Sequence, residues 1–158
     1  MSHIFDYLDA VRAAVTEALP PVGRSFVAPG GVVAWDDCCE GQVWVRLVSA
    51  APAPAPAAPL KASGDLCAVP WWTLNVVVGV VRCAHTLDDE GNAPTPQELS
   101  DDAESGLEDM WTILRVITCK VAHERMGAWT PVGPEGGCVG GEWSFTARIA
   151  GCSCDDDE

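Results

Sequence analysis

"WWTLNVVVGVVRCA" (residues 71–84) is the segment with the strongest strand character in the chain. It is rich in β-branched and aromatic residues, which favour extended backbone. Apolar side chains occupy both alternating faces from Val76 to Val81, so the segment predicts a central strand that is covered on both sides. Gly79 lies within this run and predicts a bulge or a close approach of another group to the backbone.

Two adjacent tryptophans, Trp71 and Trp72, open this strand. Neighbouring residues of a strand point to opposite faces, so one of the two indoles is expected to leave the main core. Together with Val76 and Val78 they form a candidate contact surface for another subunit or another protein. Cover by a loop or by the first helix is the alternative.

The segments around this strand predict two helices and three further strands. Residues 2–19 carry one apolar helical stripe. The runs at 31–37 and 42–50 predict strands, and residues 142–151 alternate as a half-buried strand does. The resulting fold class is α+β: a helix, three strands, a long helix and a strand, forming a mostly antiparallel sheet with the helices packed on one face.

The long helix has a clear start signal. Thr95 can cap it, Pro96 suits its first position, and Glu98 completes a capping box. Gly127 predicts its end, which gives a length of roughly 40–45 Å. Its apolar stripe is expected to comprise Leu99, Ala103, Leu107, Met110, Leu114, Ile117 and Val121. The tryptophans expected at core positions are Trp35, Trp44, Trp111 and Trp143.

The glycine-rich segment "WTPVGPEGGCVGGEWSF" (residues 129–145) is a candidate phosphate loop. It matches neither G-x-x-x-x-G-K nor G-x-G-x-x-G, and neither Lys nor Arg lies between Met126 and Thr146. A strand pattern follows it, whereas a phosphate loop leads into a helix N-terminus. The segment therefore predicts a turn that delivers the chain into a strand.

Length and charge bound the domain organisation and the partners. The 158 residues predict one domain over 1–151, with a Pro/Ala-rich loop at 51–64 and an acidic tail at 152–158. Alternating Pro and Ala favour stiff extended backbone, either as a surface loop or as an arm that reaches a neighbouring subunit. The net charge of −14 disfavours binding to nucleic acid or to a membrane. Without a signal-peptide or membrane-spanning pattern, synthesis in the cytoplasm is expected.

Acid–base and nucleophilic chemistry finds few residues. The three histidines are His3, His85 and His123. Cys119 and His123 are four residues apart on the long helix, a spacing that imitates a thiol–imidazole pair but favours an ordinary pair on one helix face. We expect no catalytic residue and no cofactor.

Eight cysteines are many for a chain made in the cytoplasm, where disulfides are rare. Cys67, Cys83 and Cys119 are interpreted as small buried apolar side chains. The candidate metal ligands are Cys38, Cys39, Cys152 and Cys154, which could supply four thiolates to zinc if their strand ends meet. The C-C and C-x-C spacings are poor substitutes for C-x-x-C. A small zinc-binding or thiol-redox module is therefore kept as an alternative function.

Four stretches in their order carry a resemblance to a known family: "IFDYLDAVRAAVTEALP", "CCEGQVWVRLVSAAP", "LNVVVGVVRCAHTLDDEGNAPTPQELSDDAESGLEDMWTIL" and "WTPVGPEGGCVGGEWSFTARI". Over nearly the whole chain, their element order and texture resemble the tail-terminator proteins of bacteriophages with long, non-contractile tails, and most closely versions from phages of actinobacteria. The Pro/Ala insertion and the cysteines depart from that pattern.

The resemblance implies a structural virion protein at the head–tail junction. It would form a homo-oligomeric ring, a hexamer, that caps the tail tube protein and joins it to the head–tail connector or stopper protein. DNA would pass through the lumen as non-specific cargo, with no catalysis and no cofactor. The runner-up is another ring of the neck, a head-completion, stopper or adaptor protein.

An acidic wall suits a conduit that must not hold DNA, because carboxylates repel phosphates. Part of the run between residues 88 and 109 is therefore expected to line or rim the channel, and another part to stay on the solvated exterior. The candidate residues are Asp88, Asp89, Glu90, Asp101, Asp102 and Glu104.

Overall fold

The strand around Gly79 lies at the centre of the sheet. The computed structural model describes residues 3–34, 38–53 and 71–151. Its strands are β1 (Arg24–Ala28), β2 (Gln42–Ala53), β3 (Trp71–Cys83), β4 (Arg125–Glu135) and β5 (Cys138–Ala150). They form one sheet in the order β1-β2-β3-β5-β4, in which only β1 and β2 pair in parallel. The predicted α+β class with a mostly antiparallel sheet is confirmed.

Two helices, α1 (His3–Ala18) and α2 (Pro96–Lys120), cover the same face of this sheet. Their apolar side chains pack with those of β2, β3 and β5 into the main core. Its buried members include Leu8, Val11, Val15, Val43, Val45, Leu74, Val76, Val78, Val80, Ile113, Val116, Ile117, Phe145 and Ala147. The opposite face of the sheet, which we call the open face, carries a smaller apolar cluster around Trp44 and Val81.

Both faces of β3 are buried between Val76 and Val81, as the sequence predicts. Val76, Val78 and Val80 belong to the helix-covered core, whereas Val81 belongs to the open-face cluster. The predicted close approach at Gly79 is also confirmed. A Cβ atom at this position would collide with the indole of Trp44, which lies on the neighbouring strand β2.

The first strand was predicted in the wrong place. β1 is formed by residues 24–28, whereas residues 31–34 belong to no strand and residues 35–37, with Trp35, lie outside the described residues. β1 ends directly after Ala28, where Pro29 and Gly30 follow, and the φ of Gly30 is 77°. A five-residue strand that pairs in parallel needs no hairpin turn, so little in the local sequence marks it.

The end of α2 and the strand after it also differ from the prediction. The helix ends at Lys120, and Val121 takes an extended conformation, so Gly127 lies in β4 instead of at a helix end. β4 was not predicted because its glycines and prolines resemble a loop. Such residues are tolerated at the edge of a sheet, which is where β4 lies.

The glycine-rich segment forms the hairpin between β4 and β5. Gly136 and Gly137, with φ of 58° and 77°, make its turn. The prediction that a strand follows these glycines is confirmed, so the segment has no helix N-terminus at which to bind phosphate. At the other predicted loop, residues 51–53 belong to β2, while residues 54–64 and the tail 152–158 lie outside the described residues. Among the described residues, no helix is long and apolar enough to span a bilayer.

Candidate interaction surface and cysteine cluster

The start of α2 is fixed by local hydrogen bonds. The Thr95 hydroxyl accepts from the backbone N–H of Glu98 at 3.2 Å, and the Glu98 carboxylate accepts from the backbone N–H of Thr95 at 2.7 Å. Pro96 occupies the first helical position. The predicted capping box is therefore confirmed, and it holds the helix end without help from the core.

The apolar stripe of α2 is buried only toward its C-terminal end. Ile113 and Ile117 are fully buried and Val116 nearly so, whereas Leu99 and Leu107 are 53% and 54% exposed. Trp111 was predicted in the core and is 63% exposed, so that prediction is wrong. Of the predicted stripe only Ile117 is buried, so the face of the helix that meets the sheet is rotated from the predicted one.

The exposed apolar residues of α2 line a groove of about 860 Å³. It is lined by Ala103, Leu107 and Trp111, together with Pro20, which follows α1. Glu104, Glu108 and Arg115 also line it. We call this surface the α2 groove. An exposed apolar surface with charged residues at its margin is typical of a protein–protein contact site.

A buried ion pair fixes the middle of α2 on the sheet. Arg82, near the end of β3, contacts both carboxylate oxygens of Asp109, with nitrogen–oxygen distances of 2.5 and 3.1 Å. The Asp109 side chain is only 5% exposed. The indole nitrogen of Trp143 adds a second link, donating to the carbonyl oxygen of Met110 at 2.8 Å. The role of Asp109 was not predicted, because the residue belongs to a dense acidic run of the kind that usually forms a solvated surface.

The six candidate channel residues lie in the loop between β3 and α2 and in the first turns of α2. All are exposed except Asp102, which is partly buried and contacts Nδ1 of His85 at 2.9 Å. Asp88 closes its own loop by accepting from the side chain and the backbone of Asn92, contacts that lower the pKa of this carboxyl. Asp89 and Glu90 are therefore the loop carboxylates best placed to face a ligand or solvent.

The predicted subunit surface on β3 needs correction. Val76 and Val78 are 1% and 0% exposed within the single chain, because α1 and α2 cover them. They cannot contact another subunit in this fold. Trp72 packs against the same core, whereas Trp71 lies on the opposite side of the strand and is partly buried. The separation of the two indoles agrees with the prediction.

The predicted zinc site of four cysteines also needs correction, because two of the four form disulfides with other cysteines. Cys38 is bonded to Cys138, and Cys39 is bonded to Cys83. Cys152 and Cys154 lie outside the described residues. With these disulfides formed, no group of three or more His, Cys, Asp or Glu side chains in the described ranges is arranged to hold a metal ion.

Two of the three cysteines interpreted as buried apolar side chains are exposed. Cys83 forms a disulfide, and Cys119 is a free thiol on α2. Cys67 lies outside the described residues. His123 follows the end of α2, and its Nδ1 lies 3.0 Å from the carbonyl oxygen of Val121. Cys119 and His123 therefore do not share one helix face. The four-residue spacing does not bring a thiol and an imidazole together, because His123 lies outside the helix.

The open face carries most of the remaining charged contacts. The Arg46 guanidinium binds both carboxylate oxygens of Glu142, at 3.2 and 3.0 Å, and the Trp44 indole nitrogen donates to the same carboxylate at 3.0 Å. A cavity of about 490 Å³ lies beside them, lined in part by Val48 and Arg125. This face is thus more basic than the α2 groove.

The chain matches no known protein family and no characterised protein.

Proposed function

We propose that the chain is a structural ring subunit of a tailed bacteriophage, the tail terminator that caps the tail tube and joins it to the head connector. The resemblance of the sequence to that family motivates the proposal. The single structural observation that supports it is the α2 groove, where Leu107 and Trp111 are more than half exposed. A chain that leaves such side chains in water gains stability when a partner covers them.

A closed ring needs two different surfaces on each subunit, because each copy contacts its neighbours head to tail. The α2 groove supplies one surface, with apolar residues beside Glu104 and Glu108. The open face supplies the second, with Val48 exposed and with Arg46 and Arg125 beside it. Arg46 is already paired with Glu142, so the charge attraction that favours this pairing over contact between identical surfaces comes from Arg125 and the carboxylates of the groove.

In the proposed ring, the acidic loop before α2 supplies negative charge to the wall of the channel. Asp89 and Glu90 are exposed there, in a chain whose net charge is −14. Carboxylates on the wall of a channel repel DNA phosphates and prevent the tight binding that a basic wall would cause. The function needs no bond to be made or broken.

Leu107→Glu in the α2 groove tests the assembly. Burying a charge in an apolar contact is unfavourable, so we expect this variant to form no rings while its unfolding midpoint stays unchanged. Sedimentation and electron microscopy detect the rings. Val32→Glu is the matched control, because Val32 is 88% exposed and lies away from the groove. Rings formed equally well by both variants would contradict the proposed surface.

Localisation in particles tests the function itself. A labelled chain is expected at the head–tail junction, and crosslinks to the tail tube protein would distinguish a terminator from a neighbouring neck ring. Crosslinks to the head connector alone would favour the head-completion or stopper alternative. A label elsewhere in the particle, or none, would overturn the proposal.

Asp89→Asn with Glu90→Gln tests the channel. Removing two exposed negative charges reduces the repulsion of phosphates, so we expect slower genome delivery from particles that assemble normally. Ejection kinetics measured on purified particles check this. Unchanged kinetics would place this loop outside the lumen. The proposal that the chain forms a ring would not be affected by that result.

A further inference from the structure

Four cysteines that are scattered along the sequence meet at one end of the sheet. Cys38 and Cys39 are consecutive in the short 3-10 turn Cys38–Glu40. Cys83 and Cys138 are directly opposite each other at the ends of β3 and β5, so their side chains share one face of the sheet. The turn lies against that face, since Cys38 and Cys138 are members of the same open-face cluster.

The four Cα atoms form a small closed quadrilateral. Two of its sides are 5.8 Å, between Cys38 and Cys138, and 4.1 Å, between Cys39 and Cys83. The third is the link between consecutive residues, about 3.8 Å. The fourth is an antiparallel cross-strand pair, about 4.5–5.5 Å. The four Cα atoms therefore surround one small volume that all four side chains can reach.

Such a group has two stable bonding states. Oxidised, it forms the two disulfides of the structure. Reduced, it presents four thiols, and four thiolates are the ligand set that Zn²⁺ binds tetrahedrally at about 2.3 Å. A tetrahedron of that size separates neighbouring sulfurs by about 3.8 Å, a spacing that side-chain rotation at these Cα distances can provide.

We propose that the reduced chain binds one Zn²⁺ through Cys38, Cys39, Cys83 and Cys138. The chemistry balances without any other group. Each disulfide accepts two electrons and two protons from a dithiol, which itself becomes a disulfide, and Zn²⁺ then displaces four protons from the four thiols. Either state ties the 3-10 turn to β3 and β5, so the cluster secures the same contacts in a reducing and in an oxidising compartment.

The burial of the four residues suits a structural site. Cys38 and Cys138 are 3% and 4% exposed beside Trp44 and Val81, which exclude water from two of the ligands. Cys39 and Cys83 are exposed, and this side gives reductant and metal an entry path. The proposal is independent of ring formation, since none of these residues lines the α2 groove or the open-face cavity beside Arg46 and Glu142.

Metal analysis of the reduced chain tests the site. The full chain is reduced with a phosphine, freed of reductant without oxygen, incubated with Zn²⁺ and desalted. We expect one zinc per chain, and none in the same protein left oxidised. Co²⁺ in place of Zn²⁺ should give the absorption of a tetrahedral thiolate site. Less than a tenth of a zinc per reduced chain, with circular dichroism showing that it is folded, would overturn the proposal.

Substitutions identify the ligands. Cys83→Ser, at an exposed position, should lower the metal affinity by at least about tenfold, a loss that even changes outside the ligand shell produce. Cys119→Ser is the matched control, because this exposed thiol is free and lies on α2. The double variant Cys152→Ser with Cys154→Ser should also bind normally. Zinc that disappears with the double variant and survives Cys83→Ser would assign the metal to a different set of thiols and overturn the proposal.

Discussion

The two halves of α2 carry similar apolar residues but have different surroundings. In the C-terminal half, Ile113 and Ile117 pack completely into the helix-covered core. In the N-terminal half, Leu99 and Leu107 are more than half exposed. Position along the helix is not the whole cause, because the exposed Leu107 and Trp111 flank the buried Asp109 and therefore lie on the side of α2 away from the sheet. The difference teaches that apolar periodicity predicts a helix, but neither the turns nor the exact face at which the helix meets the sheet.

The exposed half is held by local interactions instead of core packing. The capping box of Thr95 and Glu98 fixes its first turn. The amide of Gln97 donates to Asp101 at 2.7 Å, and Asp102 contacts His85 at 2.9 Å. Because these contacts are solvent-exposed, each contributes little stability, and it is their sum that holds the N-terminal half of α2 in place.

Ile117→Ala against Leu107→Ala gives the largest expected contrast between the two halves. Removing the fully buried Ile117 side chain leaves a cavity in the main core and should cost about 2–5 kcal/mol of unfolding free energy. Removing the exposed Leu107 side chain should change it by less than about 0.5 kcal/mol. Urea unfolding of the single chain measures both values.

A small loss of stability for Ile117→Ala together with a large one for Leu107→Ala would contradict the contrast between the two halves. A large loss for Leu107→Ala would mean that the α2 groove is already covered within the chain or by a copy in solution. Repeating the measurement over a range of protein concentrations separates these two cases, because only an interface between copies makes the stability concentration-dependent.

Much of this fold is predictable because its signals are local. The capping box of α2 needs only three residues, and the double-sided burial of β3 follows from an uninterrupted apolar run. β1 and β4 were missed for a common reason. A short parallel strand and a Gly/Pro-containing edge strand are both specified by their neighbours in the sheet, and local sequence does not reveal those neighbours.

The candidate site was less predictable because it depends on tertiary register. Nothing in the spacing of Cys83 and Cys138 indicates that they lie opposite each other in the sheet, since 54 residues, including α2, separate them. Only the pairing of β3 with β5 brings them together. Asp109 was missed in the same way: the sequence cannot tell which carboxylate of an acidic run meets Arg82.

Thr95→Ala probes the local stabilisation of the exposed half at an intermediate magnitude. Without the hydroxyl, the backbone N–H of Glu98 loses its acceptor, so the loss should be about 1 kcal/mol. Thr118→Ala is the matched control within the same helix. Its hydroxyl donates to the carbonyl oxygen of Leu114, which is already a helix acceptor, so little should change. Equal losses for both variants would show that the helix start is held by the core and not by its cap.

The smallest expected effect concerns the charge of Glu98 at the same cap. The Thr95 backbone N–H and then its hydroxyl donate to the carboxylate and lower the pKa of Glu98 below its usual 4.5. A lowered folded-state pKa means that this stabilisation is complete above the unfolded-state pKa and is lost as the pH falls through the folded-state value. We therefore expect the wild type to exceed Glu98→Gln in unfolding midpoint at about pH 6 and this advantage to shrink toward about pH 3. Groups shared by the two proteins cancel in this difference, so an advantage that is independent of pH would assign the effect of Glu98 to its shape and not to its charge.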